Sequence, residues 1–218
     1  MSDPLQPLPR SLWVGVLLVL VLLAFAYLLS LAEFSRAHQT SLPVLGVIPS
    51  FDLTNQYNQA VTLANLTNHP WVADIIFTRC AGSCPGMTRQ MRQIQDALPP
   101  SSEARLVTLT TDPDFDTAPV LHRYAEHYGA DSNRWMFLTG TPQSIGALAG
   151  GSLRLGSTPV QPSDRKSPVD LFIHSTIFVV VDKKARLRAV FETSGDGIIW
   201  SQVQDRILQT LKRLEAAP

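Results

Sequence analysis

Residues 71–87 read WVADIIFTRCAGSCPGM, and this stretch decides how the rest of the chain is interpreted. Its first part, Trp71 to Thr78, is β-rich and mostly apolar, as expected of a strand buried inside a sheet. Pro85 suits the first turn of a helix. The stretch therefore predicts a buried strand that runs into a helix, with Cys80 and Cys84 in the turn between them.

Cys80 and Cys84 are the 2 cysteines of the chain. A purely structural disulfide is the weaker interpretation, because closing so short a loop removes little entropy from the unfolded chain. A helix N-terminus favours negative charge, so we expect lowered thiol pKa values at this position. Thiolates bind soft metals and also exchange disulfides, and the local spacing leaves both chemistries open. The three-residue gap, longer than that of common redox motifs, favours a metal.

A third metal ligand would come from the 5 histidines. Two thiolates and an imidazole would make a three-coordinate copper site, whereas a structural zinc site usually has four protein ligands. His38 lies in a tether, His69 precedes a proline in a turn, and His122 and His127 suit the solvated face of a helix. His174 opens the last apolar strand, and its position alone fits a buried structural histidine as well as a ligand.

The N-terminal region carries a long apolar run without a charged residue, from Ser11 to Ala32. A run of this length can span a bilayer as a helix. It exceeds the apolar core of about 7–15 residues that a cleaved secretory signal has, so we favour an uncleaved transmembrane anchor. Both interpretations place the following domain outside the cytoplasm. The predicted organisation is a tail at 1–10, the anchor at 11–32, a tether at 33–50 and a globular domain at 51–218.

The formal net charge is +0, and the basic residues form no long run. This balance argues against nucleic acid as a partner, because nucleic-acid-binding proteins normally carry a basic patch. It also argues against a polybasic lipid-binding surface. The cysteine turn therefore remains the main candidate for a functional site.

The domain alternates between strand-like and helix-like segments. The predicted strands are 71–78, 105–110, 135–138, 173–181 and 187–191, and the predicted helices are 85–98, 117–128, 141–148 and 198–214. A Gly/Ser/Pro-rich insertion covers 150–169. This order predicts an α/β domain with a central mixed sheet and helices on both faces. The acidic residues of the loop 111–117 are predicted to cap the following helix, and that loop also suits the rim of a site.

The ordered set of motifs resembles the Sco/SenC family of copper-binding assembly factors for cytochrome c oxidase. The similarity rests on the segment 77–85, on the loop 111–117, on the Trp135–Gly140 segment, and on Asp170 followed by His174-Ser175-Thr176. It covers most of the chain from about Leu45 onward. The resemblance implies a thioredoxin-like fold that holds copper, as Cu(I) or Cu(II), through Cys80, Cys84 and His174.

The same resemblance implies a role at the binuclear copper centre of cytochrome c oxidase subunit II. The protein would deliver copper to subunit II or another copper-accepting protein as a non-enzymatic metallochaperone, or would act as a thiol-disulfide oxidoreductase that reduces the oxidase cysteines. The implied location is a single-pass membrane protein with its domain on the periplasmic side or its equivalent. Ala81 and Gly82 replace a common Pro-Asp pair, which removes a carboxylate and leaves a more flexible loop.

Overall fold

The computed structural model describes residues 10–40, 42–164, 172–174 and 176–217; the side chains of residues 10–12, 14, 31–40, 157, 159, 162 and 172–174 lie outside the description. The chain divides into two compact units, Met1–Ser41 and Leu42–Pro218. The α-helices are α1 Arg10–Thr40, α2 Cys84–Ala97, α3 Ala118–His127, α4 Pro142–Gly146 and α5 Trp200–Ala216.

The first unit contains the predicted anchor within α1, a helix of 31 residues. The helix continues beyond residue 32 to Thr40, into the segment predicted as a tether. Its described side chains include large apolar groups that are exposed, such as Leu22 at 67%. Among the residues that the structure describes, no helix meets the length and apolarity needed to cross a membrane.

The second unit is built on an 8-stranded sheet with the order β1-β10-β9-β4-β5-β6-β2-β3. The strands are β1 Gly46–Val47, β2 Asp52–Asn55, β3 Ala60–Thr62, β4 Trp71–Ile76, β5 Arg105–Thr110, β6 Trp135–Thr139, β7 Ser157–Pro159, β8 Phe172–His174, β9 Ile177–Val181 and β10 Arg186–Glu192. Strands β4, β5 and β6 are parallel, and β9 is antiparallel to β4. The predicted mixed α/β sheet is confirmed.

Both faces of the sheet are buried, which explains why β4 is apolar at every position except Asp74. Val72 and Ile76 point into one core, whereas Ala73 and Ile75 point into the other. Side chains of α2, α3 and α5 fill the first core, and residues of α4 and the π-helical turn that follows it contribute to the second. The helices therefore lie on both faces, and they leave the carboxyl end of β4 at the edge where the cysteines follow.

Two differences from the sequence prediction concern strands. Strands β1, β2 and β3, between residues 46 and 62, and β7, within the predicted insertion, were not predicted. β1 and the buried Ile48 begin the folded domain earlier than residue 51. The predicted strand 173–181 is divided into β8 and β9. The division arises because β8 pairs with β7 in a separate 2-stranded sheet, while β9 joins the main sheet.

Candidate metal centre

The two cysteines occupy the connection between β4 and α2. The N–H of Cys80 donates to the carbonyl of Phe77 at 3.2 Å, which starts the turn. The N–H of Gly82 donates to Cys80 Sγ at 3.3 Å, and Cys84 is the first residue of α2. Cys80 is half-buried and Cys84 is 0% exposed. One sulfur is therefore accessible from the surface and the other lies in the core.

The two thiols are in direct contact through a hydrogen bond between their sulfur atoms. That hydrogen bond and the burial of Cys84 raise the pKa of the Cys84 thiol far above its ordinary value. The prediction of a lowered pKa is therefore wrong for Cys84, because the neighbouring thiol and desolvation outweigh the helix N-terminus. Because its pKa is raised, the Cys84 thiol would have to lose its proton before it could bind a metal as a thiolate.

The turn is braced by Asp116, a carboxylate that is 0% exposed. It accepts from the Thr78 N–H at 3.0 Å, from the Thr78 hydroxyl, and from Thr110 Oγ1 at 2.5 Å. Burial raises the pKa of Asp116, although these hydrogen bonds favour its charged form. The carboxylate therefore joins the residue two positions before Cys80 to the end of β5.

A second contact between the same two loops involves Arg79. Its guanidinium lies 2.5 Å from Asp112 Oδ2 and 3.9 Å from the centroid of the Phe115 ring. The predicted helix-capping role of the acidic loop is therefore wrong for Asp112 and Asp116, whose carboxylates bind the cysteine turn instead. Thr117, the N-cap residue of α3, makes no capping hydrogen bond with its side chain.

His174 is the last residue of β8, and its backbone pairs with Ser157. Its side chain lies outside the described part of the structure, so its predicted role as a ligand stays a prediction. Strand β9 starts three residues later and runs antiparallel to β4, with Ala73 opposite Val179 and Trp71 opposite Val181. The start of β9 therefore lies at the edge of the sheet where β4 ends.

The segment that follows His174 is connected to α2 by hydrogen bonds. Thr193 donates to the carbonyl of Thr176 through its N–H and its hydroxyl, both at 2.8 Å. Gln90, on α2, donates to the carbonyl of Thr193 at 3.0 Å. Among the described side chains, which exclude that of His174, no group of three His, Cys, Asp or Glu residues could hold a metal ion.

The other histidines differ in their surroundings. His122 lies 3.4 Å from Glu126 on α3, and the exposed His127 has its ring against Tyr128. These contacts agree with the predicted polar face of α3. His69 is half-buried in its predicted turn, and His38 lies in α1 rather than in a tether.

Sequence reasoning found the cysteines but missed the residues that brace them. Asp116 and Thr78 are 38 positions apart, and they meet because β4 and β5 are parallel neighbours. The available signal was the placement of both loops after the carboxyl ends of consecutive strands, since such ends meet at one edge of a sheet.

Comparison with known proteins identifies a family that matches this chain. The family model described as SCO1/SenC matches residues 41–209. A SCO1 protein homolog of Bacillus subtilis (strain 168) is 35% identical over 98 residues, which cover 44% of this chain and 51% of that protein. The chain thus spans about half the length of the curated relatives it matches.

Solved structures share the fold at low sequence identity. A SCO1/SenC family lipoprotein from Bacillus anthracis (strain Ames) superimposes with a TM-score of 0.65 at 24% identity, over 80% of this chain and 99% of that one. The copper-bound ScoI of Bradyrhizobium japonicum gives a TM-score of 0.64 at 20% identity, over 77% and 99%. The Leu42–Pro218 unit thus has the thioredoxin-like fold of these proteins. With a family model that matches most of its length, the chain belongs to the SCO1/SenC family.

Proposed function

We propose that this protein binds copper through Cys80, Cys84 and His174 and carries it to a copper-accepting protein. The observation that supports the proposal most strongly is the contact between the two thiols at the end of β4, one half-buried and one fully buried. Two sulfur donors in a partly dehydrated turn match the preference of Cu(I) for soft ligands.

The donor set fits copper better than the other metals that cysteines bind. Structural zinc and iron–sulfur sites usually have four protein ligands, and this chain has 2 cysteines. An imidazole added to two thiolates gives a site suited to both copper oxidation states. Since the pKa of Cys84 is raised, copper binding has to release the thiol protons.

The inclusion of His174 is supported by the backbone. If the pairing of Ala73 with Val179 is continued toward the cysteines, residues just before β9 come level with those just after β4. The Gln90–Thr193–Thr176 hydrogen bonds hold the same segment to the helix that begins at Cys84. Both features favour an imidazole at the cysteine edge.

The acceptor in this proposal is the binuclear copper centre of cytochrome c oxidase subunit II, in keeping with the family to which the chain belongs. The copper is cargo, so the site has to release it as well as bind it. Ala81 and Gly82 are both exposed beside Cys80. A loop without bulky side chains lets an acceptor approach the half-buried sulfur closely, at the expense of a carboxylate contact.

Membrane attachment through α1 is part of the same proposal, with the domain outside the cytoplasm. Its support is the uncharged run from Ser11 to Ala32 together with the exposed apolar side chains between Trp13 and Leu29. The full chain should resist extraction from membranes at alkaline pH, whereas a chain lacking residues 1–41 should be extracted. Intact N-terminal residues in the mass spectrum would distinguish an anchor from a cleaved signal.

Metal analysis of the reduced full chain tests the copper site. We expect about one copper ion per chain, lost in Cys80→Ser and in Cys84→Ser. His174→Ala should keep Cu(I) and lose the charge-transfer band of the Cu(II)–thiolate complex. His122→Ala is the matched control, since His122 pairs with Glu126 on α3. Equal copper content in wild type and both serine variants would disprove the proposal.

The difference in burial between Cys80 and Cys84 also supports a second candidate function, thiol-disulfide exchange. The thiolate of Cys80 would attack a partner disulfide, and Cys84 would then attack the mixed disulfide. The partner would leave as a dithiol, reduced by two electrons, while Cys80 and Cys84 become a disulfide. This activity needs no imidazole, so His174→Ala would preserve it while abolishing oxidase assembly under the copper proposal.

A further inference from the structure

Basic side chains gather at the edge of the sheet opposite the cysteines. β4 runs from Trp71 toward Cys80, and Trp71 pairs with Val181, the last residue of β9. The turn from β9 to β10 therefore lies at the amino end of β4. A strand of 6 residues is about 20 Å long, so this turn and the cysteines are well separated.

An open cleft lies at this edge. Its lining residues are Asp182, Lys183, Lys184, Arg186, Arg188, Leu214 and Ala217. Four cationic side chains and one carboxylate leave a net charge of +3 (4 − 1) on the lining. The exposed Lys212 and Arg213, near the end of α5, add to the same end of the domain.

Some of these cationic side chains form hydrogen bonds within the domain. Arg188, 7% exposed, donates to Asp182 and to the carbonyls of Leu42 and Pro43. Lys183 donates to the carbonyl of Glu215 at 2.7 Å. These contacts fix the first residues of the domain and the end of α5 to the turn.

Other basic groups at this edge face solvent. Lys184 is exposed, and the Arg186 side chain is 37% exposed although it is paired with Asp182. With Lys212 and Arg213 they form a group that we call the basic edge. The charge pattern of the sequence argued against a polybasic surface, but folding brings the β9–β10 turn and the end of α5 together.

We infer that the basic edge binds the phosphate groups of anionic phospholipids in the membrane that holds the chain. This inference rests on the proposed attachment through α1. Arg188 binds the carbonyls of Leu42 and Pro43, and Ser41 alone separates Leu42 from Thr40, the last residue of α1. The β9–β10 hairpin, which carries part of the basic edge, is therefore bonded to a residue only two positions beyond α1 in the sequence.

The chemistry of the basic edge matches an anionic bilayer surface. Lysine and arginine side chains close to such a surface are attracted to it over a Debye length of about 8 Å at physiological ionic strength. The attraction acts on a domain that is already tethered, so a few exposed cations are enough to favour contact between this edge and the bilayer. Binding at this edge leaves the cysteine turn, at the other end of β4, available to an acceptor protein.

The experiment uses the full chain in lipid nanodiscs and measures amide hydrogen exchange by mass spectrometry. One set of discs contains phosphatidylcholine alone, and the other also contains phosphatidylglycerol. We expect exchange in peptides 182–188 and 208–217 to slow roughly threefold or more with the anionic lipid, and to recover at high salt. Lys184→Glu and Lys212→Glu should remove the effect, because both exchange an exposed cation for an anion.

Arg89→Glu is the matched control, since Arg89 is exposed on α2 near the cysteines. It should leave the lipid effect unchanged. Equal exchange in both kinds of disc, with the chain incorporated, would overturn the inference and leave the anchor intact. A chain that does not stay in the discs would overturn the attachment and the inference together. Equal slowing by inorganic phosphate in neutral discs would overturn the assignment to lipid.

Discussion

The carboxylate of Asp116 binds both the N–H and the hydroxyl group of Thr78, two residues before Cys80. A third hydrogen bond, from Thr110, holds the same carboxylate to the end of β5. The position of Cys80 thus depends on a carboxylate that lies outside the proposed ligand set.

Asp116→Ala should therefore disturb the cysteine turn as well as the fold. Leaving the Thr78 and Thr110 groups without their acceptor is expected to lower the free energy of unfolding by about 1–3 kcal/mol. Copper affinity should fall and the Cu(II)–thiolate band should shift, because Cys80 is no longer held in register with Cys84. Denaturant unfolding and copper titration of the full chain measure the two effects.

Asp114→Ala provides the control for this experiment, since Asp114 is exposed in the same loop. It should change neither unfolding nor the copper spectrum. An Asp116→Ala protein with normal copper affinity and an unshifted band would show that the brace serves stability alone.

The unequal burial of the cysteines predicts unequal reactivity. Cys80 is half-buried, whereas Cys84 is 0% exposed and has a raised pKa. In the reduced protein without copper, an alkylating reagent should modify Cys80 about tenfold or more faster than Cys84, because the thiolate is the reactive species. Mass spectrometry of peptides at short times measures the ratio. Equal rates would mean that the buried thiol opens to solvent easily.

The hydrogen bonds from Gln90 to Thr193 and from Thr193 to Thr176 predict an effect on Cu(II) that Cu(I) does not share. Gln90→Ala removes the link between α2 and the segment after His174. Two thiolates suffice for Cu(I), whereas Cu(II) is expected to need the imidazole. Affinity for Cu(II) should therefore fall about tenfold, at the lower end of the losses typical of changes around a ligand.

Parallel titrations with Cu(I) and Cu(II) measure this difference. The matched control is Gln95→Ala, whose side chain is also on α2 but binds Asp131 and Gly129 instead. Equal losses for both oxidation states in Gln90→Ala would point to a general loosening of α2 and contradict the positioning role.

Apolar periodicity was sufficient to predict the centre of the fold. Strands β4, β5 and β6 are buried and rich in β-branched or aromatic residues, so their patterns are strong. β1 has only 2 residues, and β2 reads Asp-Leu-Thr-Asn. Segments this short and polar form strands because neighbouring strands offer them hydrogen bonds, and a local pattern cannot contain that information.

The site was predictable to the extent that its chemistry is local. Cys80, Cys84 and Pro85 lie in one short segment, and their placement between a strand and a helix followed from it. The raised pKa of Cys84 did not follow, since it depends on the hydrogen bond with Cys80 and on the burial of the thiol. The Arg79–Asp112 pair depends on β4 and β5 lying side by side, which is a tertiary property.

The free energy of unfolding should vary with pH through Asp182, which lies at the edge of the sheet opposite the cysteines. Burial alone would raise the pKa of Asp182, but hydrogen bonds from Arg186 and Arg188 outweigh it and hold the pKa below its ordinary value. A carboxylate with a lowered pKa stabilises the fold fully above its unfolded pKa, near 3.9, and loses that contribution as the pH falls through the folded value.

Asp182→Asn is therefore expected to lower the free energy of unfolding by about 2 kcal/mol at pH 7, because Arg188 loses its charged acceptor. The difference from wild type should shrink as the pH falls from about 4 through the lower folded pKa, where Asp182 of the folded wild type also becomes neutral. Denaturant unfolding of the full chain at a series of pH values measures it, with the exposed Asp114→Asn as control. A difference that stays constant down to the lowest pH at which the fold persists would show that the Asp182 charge does not stabilise the turn.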